Sequence, residues 1–347
     1  MNRKIKKLMN EAIASQYFSF FVTVILFIVL YGVGIMTYKG FIRPQVFLNL
    51  FIDNASLIIV TVGVTFTLLI GGIDLSVGAV VALCCMILAI LLEYTTVPIV
   101  VAVIGVLLLG IVFGGIQGYL ITAFNMQPFI ITLAGMFFCR GLTAVISRET
   151  ISITNPMYVA IASERISVFG LGFVSVGAVV ALAALAFAAV VLKYTKIGRT
   201  IFAIGGNESS ASLMGLPVFK TKVLVYMISG FCAALGGVVY SWIMLSGYPL
   251  HGLGMEMDAI ASSVIGGTLL TGGVGFIPGT LFGVLIQGVI LTFITFQGTL
   301  SAWWTKIVVG ALLFIFIIMQ ALITERKSKI SSKSSMQVTA KKAAETK

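Results

Sequence analysis

The sequence has little charge for its length. Of its 347 residues, 10% are Asp, Glu, Lys or Arg, while 59% are apolar and the mean hydropathy is +1.15. Soluble domains carry roughly 25% charged residues, so this shortage excludes an ordinary soluble protein and predicts an integral membrane protein. The balance of 22 basic against 11 acidic residues does not predict a nucleic-acid partner, because the basic residues lie between long apolar runs.

The sequence is also poor in histidine and cysteine. A single His251 excludes a multi-histidine metal centre, and no nucleotide-binding G-x-x-x-x-G-K-[ST] loop or H-E-x-x-H motif occurs. We therefore predict no catalytic residues, no metal site, no cofactor and no enzymatic activity. The four cysteines fall inside apolar runs without C-x-x-C spacing, which predicts buried thiols: Cys84, Cys85, Cys139 and Cys232.

Long apolar runs are what the sequence has instead. About 20 mostly apolar residues are needed for a helix to cross a bilayer. Ten candidate spans approach that length, at 17–38, 55–72, 75–92, 97–124, 128–147, 168–192, 223–247, 257–272, 276–297 and 302–323. The second, third and eighth are short or interrupted by glycine. The predicted fold is an all-α integral membrane protein with about ten transmembrane helices, some of them short or broken.

Basic residues predict the orientation of the spans. Most Lys and Arg lie in residues 1–16, in residues 193–222 and in the tail 324–347. Because cytoplasmic segments are enriched in Lys and Arg, both termini are predicted to be cytosolic. The domains are then an N-terminal cytosolic segment (1–16), a transmembrane domain (17–323) and a disordered basic tail (324–347), whose Ser- and Lys-rich composition lacks bulky apolar residues.

Two glycine motifs share one pattern. Residues 70–78 and residues 265–273 both read I-G-G-x-x-L-[ST]-x-G. The repetition predicts two related halves, each with a short span broken by its motif, as in transporters that place irregular backbone near a pathway. The span count places both motifs on the same side of the membrane.

Few charged residues fall within the spans. Asp74 is predicted to cap the third span; a role in substrate passage or in a proton or cation relay is the alternative. Arg140 and Lys306, with Trp303 and Trp304, are predicted to anchor span ends at the interface, although the aromatic pair could stack on a sugar.

The segment 193–222 is the longest polar interruption in the second half. Gly205, Gly206 and Asn207 predict a turn or helix cap, and a short helix from Ser209 to Met214 is ended by glycine and proline. A compact cytosolic helix between two spans is typical of a docking element, although it could be only an ordered loop.

Three motifs in this chain resemble those of a known family. The run G-R-T-I-F-A-I-G-G-N-E-S-S-A-S-L-M-G (198–215), the first glycine motif (71–78) and D-A-I-A-S-S-V-I-G-G-T (258–268) resemble bacterial sugar permeases of the ribose and galactose type. The resemblance covers residues 45–323. It implies a permease subunit of an ATP-binding-cassette importer in the bacterial inner membrane, with ATPase subunits, an extracytoplasmic sugar-binding protein and a second permease subunit as partners.

The resemblance also implies which residues face the ATPase. They match the coupling motif of the family: Gly198, Arg199, Gly205, Gly206, Asn207, Ser210, Ala211 and Gly215. Ser210-Ala211 stands where the family has an alanine pair. Residues 128–138 and 298–306 look most like the galactofuranose permease, so galactofuranose is the expected sugar.

Further candidates follow from a neutral sugar, which polar uncharged groups can bind. The pathway candidates are Asn54, Asp74, Ser76, Gln117, Asn125, Thr268 and Gln287, although the uncharged ones could equally hold helices together. Glu256 and Asp258 are predicted to meet basic residues of the binding protein, or to be solvated loop ends. The alternatives are an ion-coupled secondary transporter, an importer of the same architecture for another sugar or a branched-chain amino acid, and a channel or structural membrane protein.

Overall fold

A computed structural model describes residues 18–168, 170–299, 301 and 303–320. The predicted cytosolic segment 1–16 and the basic tail 324–347 lie outside the described residues. The rest is almost entirely helical, as predicted. The helices are α1 (Phe18–Thr37), α2 (Pro44–Asp53), α3 (Ala55–Leu69), α4 (Val77–Tyr94), α5 (Ile99–Ala123), α6 (Pro128–Ile146), α7 (Pro156–Ser163), α8 (Val176–Tyr194), α9 (Lys196–Gly206), α10 (Glu208–Leu213), α11 (Val218–Met244), α12 (Met255–Ile265), α13 (Ile277–Gln297) and α14 (Trp303–Gln320), with a 3-10 turn at Lys39–Ile42.

Two small antiparallel strand pairs lie at the end of the molecule opposite residues 193–222. Strand β1 (Ile151–Ser152) pairs with β4 (Ser246–Gly247), and β2 (Arg165–Val168) pairs with β3 (Gly172–Ser175). The β2–β3 hairpin corrects the sixth predicted span, which begins at Val176 rather than at 168. The hairpin residues are apolar and directly precede the helix, so the predicted span included both.

The core is formed by α3, α4, α11 and α13. Every residue of α3 except Leu57 is buried, and α11 packs along α3, α4 and α5. The four cysteines are buried and unpaired, which confirms their predicted role. By contrast, α5 and α6 expose large apolar side chains such as Val112 and Phe137. An apolar outer surface over a packed interior is the arrangement expected in lipid.

Glycine allows the closest helix contact. A Cβ on Gly110 would lie 2.6 Å from the Ala234 Cβ, and one on Gly230 would overlap the Gly110 carbonyl oxygen. These positions bring the backbones of α5 and α11 together, which is a common way to associate helices in lipid.

The number of spans is close to the prediction of about ten, some of them short or broken. Among the described residues, eight helices are long and apolar enough to cross a membrane, and nine spans result if α2 and α3, bent by 53°, form one. The eighth predicted span, which the sequence marked as short or interrupted, is a half-helix: α12 has 11 residues. At 1.5 Å per residue it reaches about 16 Å, half of the ~30 Å hydrocarbon layer.

Both broken helices end in the same way. At the end of α3, the Gly71 N–H donates to Leu68 and the Gly72 N–H to Thr67; at the end of α12, the corresponding bonds are Gly267 to Val264 and Thr268 to Ser263. This double bond pattern is the Schellman motif, which requires a left-handed residue. Gly71 has φ +75° and Gly267 has φ +99°. The shared ending supports the predicted relation between the two motifs, offset by one residue.

Candidate functional site

The segment 193–222 forms two helices. Thr195 caps α9 by accepting a hydrogen bond from the Gly198 N–H at 3.2 Å, and Asn207 caps α10 by accepting from the Ser210 N–H at 2.7 Å. The cap at Asn207 and the short helix after it confirm the sequence interpretation. The longer helix α9 was missed, although Gly198, Ile201 and Ile204 share one buried face at helical spacing.

The structure divides the predicted coupling residues by exposure. Arg199, Gly206, Asn207, Ser210 and Gly215 are exposed, Gly205 is half-buried, and Gly198 and Ala211 are buried. A Cβ on Gly198 would overlap the Leu192 carbonyl, so this glycine serves the tight turn between α8 and α9. Gly215, at φ +76°, follows α10 in a left-handed conformation.

An apolar tip projects at the end of α10. The side chains of Leu213 and Met214 are 89% and 68% exposed. An ion pair between Lys222 and Glu208, at 2.6 Å, holds α10 beside the start of α11. Two large, neighbouring apolar side chains are therefore exposed at the end of a short, braced helix, and exposed apolar patches are typical of protein interaction sites.

The two glycine loops meet each other and α9. The Gly273 N–H donates to the Leu69 carbonyl at 2.9 Å. A Cβ on Gly205 would overlap that carbonyl, and one on Gly273 would lie 2.9 Å from the Gly206 nitrogen. Both motifs therefore lie on the side of the molecule that carries α9 and α10, as the span count predicted.

A buried polar cluster surrounds Asp74, which is 1% exposed. Its carboxylate accepts hydrogen bonds from the Ser76 backbone N–H at 2.9 Å, from the Ser76 hydroxyl at 2.7 Å and from the Ser229 hydroxyl at 2.7 Å. The Ser76 hydroxyl also lies 3.2 Å from Gln117 Oε1. Asp74 thus ties the unwound segment before α4 to α5 and α11.

The predicted helix cap at Asp74 is wrong in its details. Ser76 occupies the N-cap position of α4, and no side chain caps that helix. Asp74 lies two residues earlier. The sequence also missed Ser229 and Tyr226, which lie on α11 next to this cluster. In the sequence they appear only as polar groups within an otherwise apolar helix, and this pattern does not reveal that they lie beside the segment between α3 and α4.

Within the part of the chain that the structure describes, two of the cluster's polar groups have no hydrogen-bond partner. The Gln117 amide nitrogen and the Tyr226 hydroxyl are buried without one. The four other pathway candidates are scattered. Asn54 donates to Leu50, Gln287 donates to the Asp258 carbonyl, Thr268 is buried in the second glycine loop, and Asn125 is exposed after α5 with φ +52°. The structure therefore brings together only Asp74, Ser76 and Gln117.

The predicted anchors at the opposite end make specific contacts. Arg140 donates to the carbonyls of Pro249 and His251, at 2.9 Å and 2.6 Å, and so fixes the loop before α12. Lys306 forms an ion pair with Asp258. Glu256 is 7% exposed and packs against Gly78. This burial corrects the sequence interpretation of Glu256 as a contact for another protein, because its carboxylate faces the interior.

Comparisons with known proteins identify relatives that are membrane permeases. Residues 46–317 match the family model described as the permease component of the branched-chain amino acid transport system. The chain is 45% identical over 303 residues to the inner membrane ABC transporter permease protein YjfF of Escherichia coli (strain K12), covering 87% of this chain and 92% of that protein.

Two further relatives are named for the import of a sugar. The fructose import permease protein FruG of Bifidobacterium longum (strain NCC 2705) is 41% identical over 86% of this chain and 88% of its own length. The ribose import permease protein RbsC of Bacillus subtilis (strain 168) is 37% identical over 85% of this chain and 90% of its own length. No solved structure matches the chain. Because the family model matches most of its length, and the relatives above match at least 85% of it, this chain belongs to the family of membrane permease components of branched-chain amino acid type transport systems.

Proposed function

We propose that this chain is the membrane-spanning permease subunit of an ATP-binding-cassette importer for a monosaccharide, in the bacterial inner membrane. The observation that supports the proposal is the exposed apolar tip of α10. The neighbouring helix α9 contacts the end of α3 and the loop that follows α12, so the tip is connected to both broken helices. The relatives named for fructose and ribose import, together with one named for D-allose transport, support a sugar as the cargo.

The coupling surface in this proposal is the exposed part of α10. Leu213 and Met214 provide the apolar contact, and Arg199, Asn207 and Ser210 surround it. The ATPase subunit provides nucleotide binding and hydrolysis, and the permease performs no covalent chemistry. When ATP closes the ATPase subunits, α10 is displaced, the helices tilt, and the pathway opens on its other side.

The cargo in this proposal is neutral. Few charged side chains lie within the membrane domain, and the protein itself engages two of them: Asp74 through two serines, and Arg140 through backbone carbonyls. A hydroxylated, uncharged solute requires no countercharge in the membrane. Two permease subunits would enclose the pathway, and an extracytoplasmic binding protein would deliver the sugar beside Asp258.

The narrower proposal is galactofuranose. Residues 128–138 and 298–306 support it by their resemblance to the galactofuranose permease. Of these residues, Thr132 is buried and bonds the carbonyl of Ile73, next to the Asp74 cluster. The relatives named for other sugars make ribose, fructose and allose the comparison substrates.

A second cargo follows from the name of the family, which specifies branched-chain amino acids. Such a cargo is a zwitterion and would require fixed groups of both signs facing the pathway. Lys306 and Asp258, at the end of the molecule opposite α10, carry one positive and one negative charge, but they form an ion pair with each other. Leucine therefore belongs in the substrate panel as the test of this alternative.

Uptake measurements test the proposal. The chain is co-purified with its ATPase subunit, reconstituted into vesicles and supplied with binding protein loaded with one radiolabelled solute at a time. We expect ATP-dependent accumulation of a sugar, with galactofuranose preferred. Preference for ribose, fructose or allose would overturn only the narrower proposal, whereas preference for leucine or ATP-independent uptake would overturn the broader one.

A further inference from the structure

Three backbone segments converge at one point near the coupling helices. They are the end of α3 at Leu69, the second glycine loop at Gly272 and Gly273, and the end of α9 at Gly205 and Gly206. The Gly273 N–H donates to the Leu69 carbonyl at 2.9 Å. The Leu69 carbonyl is thus shared between the two broken halves of the molecule, directly against α9.

The contact is made by backbone alone. A Cβ on Gly205 would overlap both the Leu69 carbonyl oxygen and the Gly273 nitrogen, and a Cβ on Gly272 would lie 2.7 Å from the Gly71 nitrogen. Gly272 and Gly273 have φ values of +85° and +74°. No side chain separates the three segments, so displacement of one is transmitted without the slack that rotatable side chains introduce.

Separation of the segments would be costly. The last carbonyls of a helix have no partner within it, and Leu69, the last residue of α3, is fully buried. For Leu69 the partner is the Gly273 N–H. If α3 moved away from the second loop, the carbonyl of the buried Leu69 would lose this partner, which is disfavoured. The two loops are therefore held together while the protein moves.

We propose that Gly205 is a positioning residue that transmits the displacement of α10 into both broken helices at once, through the Leu69–Gly273 contact. This inference rests on the proposed function. It gives Gly205 a role different from the sequence expectation, since Gly205 faces the membrane domain rather than the ATPase. In this proposal the exposed residues of α10 bind the ATPase subunit, and Gly205 transmits the displacement to α3 and to the second glycine loop.

The experiment adds a Cβ to this contact from either side. Gly205→Ala and Gly273→Ala, and the double variant, are compared with Gly105→Ala, where a Cβ would lie in open space. Each complex with the ATPase subunit is placed in vesicles, and both ATP hydrolysis and sugar uptake are measured. We expect each single variant to co-purify with the ATPase but to import about tenfold less sugar per ATP hydrolysed.

The double variant separates this role from general destabilisation. Because both substitutions open the same contact, their effects on uptake per ATP should not add, whereas independent structural defects should. Gly273→Ala introduces a smaller overlap, at 2.9 Å from the Gly206 nitrogen, together with backbone strain at φ +74°. It is the second variant to test if Gly205→Ala is not produced as a folded protein. Gly105→Ala is expected to match the wild-type ratio.

The outcomes are distinguishable. Wild-type uptake per ATP in both single variants would overturn the inference, as would additive losses in the double variant. Loss of co-purification in Gly205→Ala would also overturn it, by placing Gly205 in the ATPase contact. Absence of ATP-driven uptake by the wild-type complex would instead overturn the proposed function on which the inference rests.

Discussion

The Ser229 hydroxyl donates a hydrogen bond to the Asp74 carboxylate at 2.7 Å, across 155 positions of the chain. Asp74 lies in the first glycine loop and Ser229 lies within α11. The bond therefore joins a break in one helix to the middle of an unbroken one. With the two bonds from Ser76, it makes the unwound segment a fixed part of the fold rather than a loose loop.

Removal of the Asp74 carboxylate should destabilise the protein. In Asp74→Ala, the Ser76 N–H and two hydroxyls lose a buried acceptor, and we expect the free energy of unfolding in detergent to fall by about 2 kcal/mol. Asp74→Asn keeps one acceptor oxygen and should lose less. Asp53→Ala, which removes an exposed carboxylate, is the control and should unfold like the wild type. Equal loss in the Ala and Asn variants would show that the hydrogen bonds do not stabilise the segment.

Gly230→Ala should weaken the contact of α5 with α11. The added Cβ would overlap the Gly110 carbonyl oxygen, and separating two helix backbones costs about 1–3 kcal/mol. Thermal unfolding followed by circular dichroism measures the effect. Gly105→Ala, on the open face of α5, is the matched control and should leave the unfolding temperature unchanged. An unchanged transition in Gly230→Ala would contradict the close approach of these helices.

Leu213→Asp should weaken association with the ATPase subunit by at least about tenfold, because an apolar side chain central to a small interface carries much of its energy. Binding of the purified subunit to immobilised permease measures this. Leu171→Asp is the control: Leu171 is also exposed, at 61%, but lies in the β2–β3 turn at the opposite end. Equal binding by both variants would remove α10 from the coupling surface.

Acidification should destabilise the loop that precedes α12. Burial lowers the pKa of His251 below its ordinary value, and the Arg140 guanidinium lowers this pKa further, against a hydrogen bond with Ser246 that raises it. The unfolded chain therefore binds this proton at a higher pH than the folded protein, and stability must fall as the pH drops below about 6.5. Unfolding temperatures between about pH 8 and pH 5 should decrease more for the wild type than for His251→Gln. Parallel decreases would contradict the role of His251.

Some elements followed directly from the sequence. Pro128 begins α6, which is where the predicted span 128–147 begins. Proline is favoured in the first turn of a helix. Asn207 caps α10 as its position before a short polar helix predicted. The all-helical membrane fold followed from the length of the apolar runs alone.

Other features depend on contacts that hydropathy does not report. The hairpin before Val176 is as apolar as the span that follows it. The half-helix α12 ends at Gly266 because of backbone geometry at Gly267, although the sequence stays apolar beyond it. Ser229, which bonds Asp74, and Gly273, which bonds Leu69, are each more than 100 positions away from their partner, so only the folded arrangement reveals these contacts.

The most direct test of the central claim measures sugar accumulation in vesicles that contain this chain and its ATPase subunit, with loaded binding protein outside and either ATP or ADP inside. We expect accumulation with ATP only, none when the ATPase subunit is omitted, and less than the wild type when the permease carries Leu213→Asp. Equal accumulation with ADP, or by the permease alone, would show that this chain is not driven through α10 by a separate motor.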